Sequence, residues 1–129
     1  MPAPAGSPAP SDLTVLVDAE NVRRSVWPNL SARRLVDLCA AWAERYGRRV
    51  VLAFDGRAPE GRGPCETVAA PHADDWIADA AERLDRYWLV TSDRALRARA
   101  GTGAARMIGG GAFARELRAG PGGGPGSGR

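Results

Sequence analysis

Residues 13–18 read Leu-Thr-Val-Leu-Val-Asp, a short aliphatic run that ends in a carboxylate. The length and continuous hydrophobicity of such a run are typical of a strand buried on both faces of a sheet. Two further apolar runs, at residues 49–54 and 87–90, are followed by Asp55 and by Thr-Ser-Asp93. With residues 13–17, these runs predict the central strands of a parallel sheet, each leading to an acid at its carboxyl end.

Helical patterns alternate with the predicted strands. After a cap at Ser31, apolar residues recur at helical spacing until Gly47. Three further helices are predicted, over 73–86, from a cap at Ser92 or Asp93 to Gly101, and after Gly110 or Gly111. Short outer strands are predicted at 66–69 and 106–108. This alternation predicts a three-layer α/β/α sandwich around a mostly parallel sheet of four to five strands.

The chain of 129 residues is short enough for one domain, which we predict over residues 12–119. Residues 1–11 and 120–129 are rich in Gly, Pro, Ala and Ser. We expect them to be disordered, because they cannot bury enough apolar surface. The cysteines show no metal-ligand spacing, no run is long enough to span a membrane, and the start of the chain lacks signal-peptide features. The sequence therefore favours a reducing, cytoplasmic location.

All 18 basic residues are arginine, and the formal net charge is +3. This bias is typical of a G+C-rich genome, which also favours the abundant Ala, Gly and Pro. It also fits a phosphate-binding surface, because arginine binds phosphate through paired hydrogen bonds. We attribute the total count to codon bias and keep the phosphate-binding interpretation for arginines near the candidate acids.

The acids at the predicted strand ends are the main candidate site residues. Asp18, Asp55 and Asp93 follow strands, and Asp74 opens the next predicted helix. Each has a structural alternative, since Asp commonly caps helices and forms turns. Their convergence on one edge of a parallel sheet favours a divalent-cation site, because a cation offsets the repulsion between carboxylates. Asp75 is left out, because adjacent helical residues point about 100° apart.

Several neighbours of these acids carry weaker signals. Asn21 can orient a carboxylate or a water, or it can cap a helix. Glu20 is expected to face solvent. Trp27 is a candidate for stacking on a nucleic-acid base, although the four tryptophans in general fit core packing. His72 fits an exposed loop residue better than a general acid or base.

Six short segments follow one another in a recognisable order. They are Leu-Val-Asp18-Ala-Glu-Asn21, Trp27-Pro28, Ala-Phe-Asp55-Gly, Ala-Asp74-Asp75-Trp-Ile, Val-Thr-Ser-Asp93 and Gly-Ala-Phe-Ala-Arg-Glu-Leu. In this order the sequence resembles an NYN domain of the PIN-like nuclease superfamily, and its YacP-like branch in particular. The resemblance covers nearly all of residues 13–118. In the first motif that branch usually has Gly-Tyr where this chain has Ala19-Glu20.

The resemblance implies a PIN-like fold, acids that bind Mg²⁺ or Mn²⁺, and hydrolysis of RNA. By position, the acids of the family are matched by Asp18, Asp55, Asp74 and Asp93, and its D-x-x-N motif by Asn21. The expected direct metal ligands are Asp18, Asp93 and Asp74. Asp55 is expected to act through water, and Asn21 to position an acid or a water. The expected RNA contacts come from nearby arginines, Arg23, Arg24, Arg94 and Arg97.

The resulting prediction is a metal-dependent endoribonuclease of the cytoplasm, with RNA as its partner. Whether it associates with the ribosome, or takes part in RNA processing or decay, is left open. One alternative is a module of the same fold that binds RNA or the ribosome without catalysis. Another is a toxin nuclease of the PIN type. A phosphatase fits less well, because such enzymes commonly need a second Asp two residues after the first, and Ala-Glu follows Asp18. No glycine loop of an NTPase or dinucleotide enzyme and no Cys/His zinc pattern is present.

Overall fold

The computed structural model describes residues 13–119, and the segments expected to be disordered, 1–11 and 120–129, lie outside this range. Strands and helices alternate along the described chain. The strands are β1 (Leu13–Asp18), β2 (Arg49–Asp55), β3 (Cys65–Ala70), β4 (Arg86–Val90) and β5 (Arg106–Ile108). The helices are α1 (Ala19–Arg24), α2 (Ala32–Tyr46), α3 (Ala73–Arg83), α4 (Arg94–Ala100) and α5 (Gly110–Ala119).

The sheet has the strand order β3-β2-β1-β4-β5, and every pairing is parallel. The central strand β1 places Val17 beside Leu52 of β2 and Val90 of β4. The chain moves outward from β1 through β2 to β3 and then returns to β4 on the other side of β1. The order therefore reverses between β1 and β4, and open α/β sheets bind ligands beyond the carboxyl ends of strands at such a point.

Two hydrophobic cores cover the two faces of the sheet. Alternate residues of β1 point to opposite faces, so that Val15 and Val17 join one core and Leu16 joins the other. The first core includes residues of α1, α2 and α5, and the second includes residues of α3 and α4. The structure is therefore the three-layer α/β fold predicted from the alternating pattern.

Local sequence signals set both ends of α2. The Ser31 hydroxyl accepts a hydrogen bond of 3.0 Å from the backbone N–H of Arg34, as a helix N-cap does. Gly47 ends the helix in the left-handed conformation, at a φ of 61°, which glycine adopts without a steric penalty. Both predicted boundaries are confirmed.

Strands β1, β2 and β4 are each one residue longer than predicted, and three other elements differ from their sequence-based predictions. Helix α1 was not predicted, because a helix of six residues is too short to show a helical period. Helix α3 was predicted over 73–86 but ends at Arg83, because Leu84 is extended and Arg86 pairs with Leu13 as the first residue of β4. Strand β3 runs from Cys65 to Ala70 and is longer than the predicted 66–69. Among residues 13–119, no helix is long and apolar enough to cross a membrane.

Candidate active site

A polar cleft of about 480 Å³ opens at the carboxyl edge of the sheet, beside the point where the strand order reverses. Its lining residues are Asp18, Glu20, Asn21, Arg24, Asp55, Pro71, His72, Ala73, Asp74 and Asp93. All five residues predicted from the sequence as catalytic are in this set. The fold thus brings together side chains that lie far apart in the chain, from residue 18 to residue 93.

Asp18 is the half-buried centre of the cleft. Its Oδ2 accepts a hydrogen bond of 2.9 Å from the hydroxyl of Thr91, which is completely buried. Burial raises the pKa of the Asp18 carboxyl, and the charges of Asp55 and Asp93 add to this effect, while hydrogen bonds from Thr91 and the Asn21 backbone oppose it. Asp18 makes no regular side-chain capping bond to α1. Asp18 occupies the N-cap position of α1, but its regular side-chain hydrogen bond comes from Thr91 and not from the helix.

Asp93 is both a helix cap and a member of the cleft. Its Oδ1 accepts a hydrogen bond of 3.1 Å from the backbone N–H of Leu96, in the first turn of α4. Its own backbone N–H donates to the Thr91 hydroxyl oxygen at 3.1 Å. Thr91 therefore connects Asp18 and Asp93, and the cap alternative is correct for one oxygen of Asp93.

Asp55 caps a helix to which it does not belong. Its Oδ1 accepts a hydrogen bond of 2.8 Å from the backbone N–H of Ala73, the first residue of α3. His72, the residue at the N-cap position, makes no side-chain capping bond. The carboxylate at the end of β2 therefore fixes the start of α3 beside the cleft, and with it the position of Asp74.

Asp74 lines the cleft and Asp75 does not, although both carboxylates pair with Arg99. Asp74 lines the cleft and is exposed, with Oδ2 3.8 Å from the guanidinium of Arg99. Asp75 lies outside the cleft and pairs with Arg99 at 2.9 Å. Only Asp74 is available to a ligand in the cleft.

Asn21 ties three segments together at the rim of the cleft. Its Oδ1 accepts a hydrogen bond of 2.9 Å from the backbone N–H of Ser92, and the Ser92 hydroxyl accepts one of 2.9 Å from Gly110. A side chain on Gly110 would collide with the Asn21 carboxamide oxygen. Asn21 thus binds the backbone of a neighbouring segment instead of capping a helix, and its orientation of an acid or a water stays a prediction.

Glu20 is a cleft residue that the sequence argument missed. It was expected to face solvent, but it lines the cleft with a side chain only 17% exposed and pairs with Arg23 at 2.8 Å. Helix α1 begins directly after Asp18, and this turn places Glu20 next to the acids. The prediction was wrong because α1 itself was not predicted.

The arginines predicted to bind RNA have different environments. Arg23 donates from Nε to the Leu30 carbonyl at 2.7 Å, and Arg97 donates to the Thr91 carbonyl at 2.8 Å. Both therefore position segments of the protein around the cleft. Arg24 lines the cleft, with a side chain 69% exposed, and Arg94 is exposed in the first turn of α4. Contact of all four with RNA stays a prediction.

The donors in the cleft match a hard divalent cation in chemical type. Carboxylate and amide oxygens are ligands that Mg²⁺ accepts, and this ion usually keeps several waters and binds one or two carboxylates. Across residues 13–119, no group of three or more His, Cys, Asp or Glu side chains is arranged to hold an ion. The described acids therefore do not by themselves form a metal cage, and Mg²⁺ or Mn²⁺ in the cleft stays a prediction. The direct ligand set of Asp18, Asp93 and Asp74 stays a prediction.

The fold can be compared with known proteins. A crystal structure of a single-substitution variant of Rae1 (YacP) from Bacillus subtilis superposes with a TM-score of 0.64 and 26% sequence identity, covering 81% of this chain and 74% of that chain. This chain has a YacP-like NYN fold. The resemblance predicted from the ordered motifs is thereby confirmed at the level of the fold. No protein-family model matches the sequence, and no curated protein matches it.

Proposed function

We propose that this protein is a metal-dependent endoribonuclease that acts on RNA in the cytoplasm. The observation that carries the proposal is the convergence of Asp18, Asp55 and Asp93 on one polar cleft, where burial, together with the charges of the other two acids, raises the pKa of Asp18. Asp18 and Asp93 flank the point where the strand order reverses in a YacP-like fold. Mutual repulsion of this kind is offset by a cation.

In this proposal Asp18 and Asp93 hold the Mg²⁺ or Mn²⁺ ion, with Asp74 beside them and Asp55 acting through water. A bound ion supplies Lewis-acid polarisation of the phosphodiester and a more acidic attacking water. The protein supplies the orientation of the acids. The buried Thr91 hydroxyl fixes the rotation of the Asp18 carboxylate and the position of the Asp93 backbone.

The remaining cleft residues position the substrate and the water. The Oδ1 atom of Asn21 is held by Ser92, and the amide group keeps two N–H donors, which we assign to a phosphate oxygen or a water. Arg24 lines the cleft and is opposite in charge to its acids, and we assign it to a substrate phosphate. The carboxylate of Glu20 partly neutralises the arginines on α1, because it pairs with Arg23 at 2.8 Å and with Arg24 at 3.8 Å.

Cleavage of end-labelled RNA by the purified protein tests the proposal. We expect cleavage in Mg²⁺ or Mn²⁺ and none in EDTA. Asp18→Asn and Asp93→Asn should each lower the rate by more than about 100-fold, because even residues that only orient metal ligands contribute about 10- to 100-fold. Both substitutions keep an oxygen that can accept the hydrogen bonds from Thr91 and Leu96.

Asp37→Asn is the matched control. Asp37 lies on α2, pairs with Arg62 and is not part of the cleft, so its loss should leave the rate within about twofold, as for most surface substitutions. Equal cleavage by the wild type and both cleft variants would show that the activity comes from a contaminant, and the assignment would then be abandoned.

A second candidate is a module of the same fold that binds RNA without cleaving it. It is favoured by two observations, namely that Asp55 and Asp93 each cap a helix and that the described residues form no ready metal cage. Such a module would bind RNA in EDTA and show no metal-dependent cleavage at any concentration of Mn²⁺. Cosedimentation with ribosomes, with and without RNase treatment of the sample, would separate binding to the ribosome from binding to free RNA.

A further inference from the structure

The loop between α1 and α2 is held firmly at both ends. The Leu30 backbone N–H donates to the Arg23 carbonyl at 3.1 Å, and the Arg23 guanidinium donates back to the Leu30 carbonyl at 2.7 Å. At the start of the loop, the N–H and the hydroxyl of Ser25 both donate to the Val22 carbonyl, at 3.1 and 2.6 Å. Val26 and Leu30 pack against the first hydrophobic core. The loop therefore has a defined shape.

This defined loop presents a large aromatic side chain to solvent. Trp27 is 87% exposed, whereas Trp42 is 6% exposed and Trp88 is half-buried against the core. Exposed indole carries a hydrophobic cost that a smaller or more polar side chain would avoid. An indole on a fixed loop offers a flat face at little cost in conformational entropy, because the side chain has only two rotatable bonds.

Arginines precede and follow Trp27 in the chain. Arg24 is three positions before it and lines the acidic cleft. Directly after Trp27, Pro28 begins a groove of about 310 Å³ that is also lined by Arg34 and Arg118. Neither Arg34 nor Arg118 forms an ion pair with another residue in the range 13–119. In the chain, the exposed indole of Trp27 therefore lies between Arg24, which lines the acidic cleft, and Pro28, which lines the same groove as Arg34 and Arg118.

We propose that Trp27 stacks on a base of single-stranded RNA, while Arg24 and Arg34 contact the phosphates on either side. Proteins bind single strands through basic groups that contact the backbone and aromatic side chains that stack on the bases, and this segment has both. The bases of duplex RNA are stacked on one another, so they offer no free face to Trp27. A strand bound in this way runs from the Pro28 groove past Trp27 and into the acidic cleft. The inference rests on the proposed function for the identity of the ligand, but the binding step does not require cleavage.

Fluorescence anisotropy of a labelled single-stranded RNA oligonucleotide, titrated with protein in EDTA, tests this subsite without catalysis. Trp27→Ala should weaken binding about 5- to 100-fold, the range that one base–aromatic stack contributes, whereas Trp27→Phe should stay within about threefold. Arg34→Ala should reduce the slope of log Kd against log salt concentration by about 0.7, the value for one phosphate contact on a single strand. A duplex of the same sequence should bind more weakly and should not respond to Trp27→Ala.

Matched controls come from other faces of the protein. Tyr46→Ala removes an aromatic side chain that is 50% exposed, and Arg86→Ala removes an exposed arginine at the amino end of β4, the edge opposite the cleft. Both should bind RNA as the wild type does. Wild-type affinity in Trp27→Ala, or an equal loss in Tyr46→Ala, would overturn the inference and leave Trp27 as a contact for a protein partner.

The binding experiment can fail while the cleavage experiment succeeds, and the reverse. If Asp18→Asn binds the oligonucleotide through Trp27 but no variant or wild type cleaves it, the stacking subsite stands and the nuclease assignment fails. If cleavage depends on Asp18 while Trp27→Ala neither weakens binding nor slows cleavage, the nuclease assignment stands and the stacking subsite fails.

Discussion

At the scale of single residues, the Asp18 carboxyl is a proposed cation ligand that lowers the stability of the fold when it is charged and no cation is bound. It ends the central strand, receives the Thr91 hydroxyl at 2.9 Å, and lies in the field of Asp55 and Asp93. Burial is the largest cause that raises its pKa, so the folded protein holds the proton of this carboxyl more tightly than the unfolded chain does. In the absence of a cation, the charged form of Asp18 therefore destabilises the fold.

Asp18→Asn should raise the free energy of unfolding in EDTA at neutral pH, and each kcal/mol gained should raise the Tm by about 4–8 °C, the value for a domain of roughly 100 residues. Below the unfolded pKa of 3.8, Asp18 is protonated in both states and costs the wild type nothing. As the pH rises through 3.8 and on to the raised folded pKa, the unfolded chain releases the proton first, and the wild type loses stability. The advantage of the variant should therefore grow with pH over this interval and then level off.

Urea denaturation of both proteins from acid to neutral pH measures this difference. The quantity to compare is the free energy of unfolding of the variant minus that of the wild type at each pH. Other carboxylates titrate in the same range, but their contributions are the same in both proteins and cancel in this difference. A variant that is less stable than the wild type at neutral pH would show that the negative charge of Asp18 stabilises the folded protein, contrary to this prediction.

At the scale of secondary-structure elements, the start of α5 is fixed by its contact with α1. Gly110 begins α5, donates to the Ser92 hydroxyl at 2.9 Å, and leaves no room for a Cβ atom beside Asn21. The Asn21 side chain cannot swing away freely, because its Oδ1 is bonded to the Ser92 backbone. At the next residue, Gly111, a Cβ atom would meet only ordinary contact distances, 3.6 Å to Arg115 and 3.9 Å to Ser25.

Gly110→Ala and Gly111→Ala should therefore have opposite effects on stability. Gly110→Ala should lower the free energy of unfolding by about 1–3 kcal/mol, because it overpacks a close contact. Gly111→Ala should raise it by about 0.5–1 kcal/mol, because alanine in a helix loses less conformational entropy on folding than glycine. Thermal denaturation by circular dichroism measures both, and equal effects of the two substitutions would contradict the close approach of α5 to Asn21.

At the scale of the whole molecule, the sheet order places the acids on one edge and a hydrophobic core on each face. The strands β1 and β4 are neighbours in the sheet, although β2, β3 and three helices lie between them in the chain. Helices of both layers start at the cleft, α1 on one side of the sheet and α3 and α4 on the other. A ligand that bridges the acids therefore joins elements from both layers.

Binding of a divalent cation should stabilise the entire fold through this linkage. At a concentration of Mn²⁺ about one hundred times its Kd, the free energy of unfolding should rise by about 2.7 kcal/mol, because the ion binds the folded state alone. Differential scanning fluorimetry with increasing Mn²⁺ should show a rising Tm for the wild type and Asp37→Asn, and a flat response for Asp18→Asn. An equal rise in all three proteins would place the bound ion outside the cleft.

Local sequence patterns were sufficient to predict the class of fold and the identity of the main acids. Aliphatic runs, helical periods and caps such as Ser31 and Gly47 act over a few neighbouring residues, so they can be recognised without the fold. The position of Asp18 at a strand end and of Asp93 after another strand could be recognised in the same way. That both acids lie in one cleft followed from the general geometry of parallel sheets.

The role of each side chain depended on the tertiary structure. Thr91 binds Asp18 from the neighbouring strand, Asp55 caps a helix 18 residues away, and Asn21 meets Ser92 and Gly110. Glu20 lies in the cleft because of the unpredicted helix α1, and the Arg23 guanidinium holds the loop of Trp27. Most of these contacts join residues distant in sequence, and their geometry depends on strand order and helix packing, which no local pattern encodes.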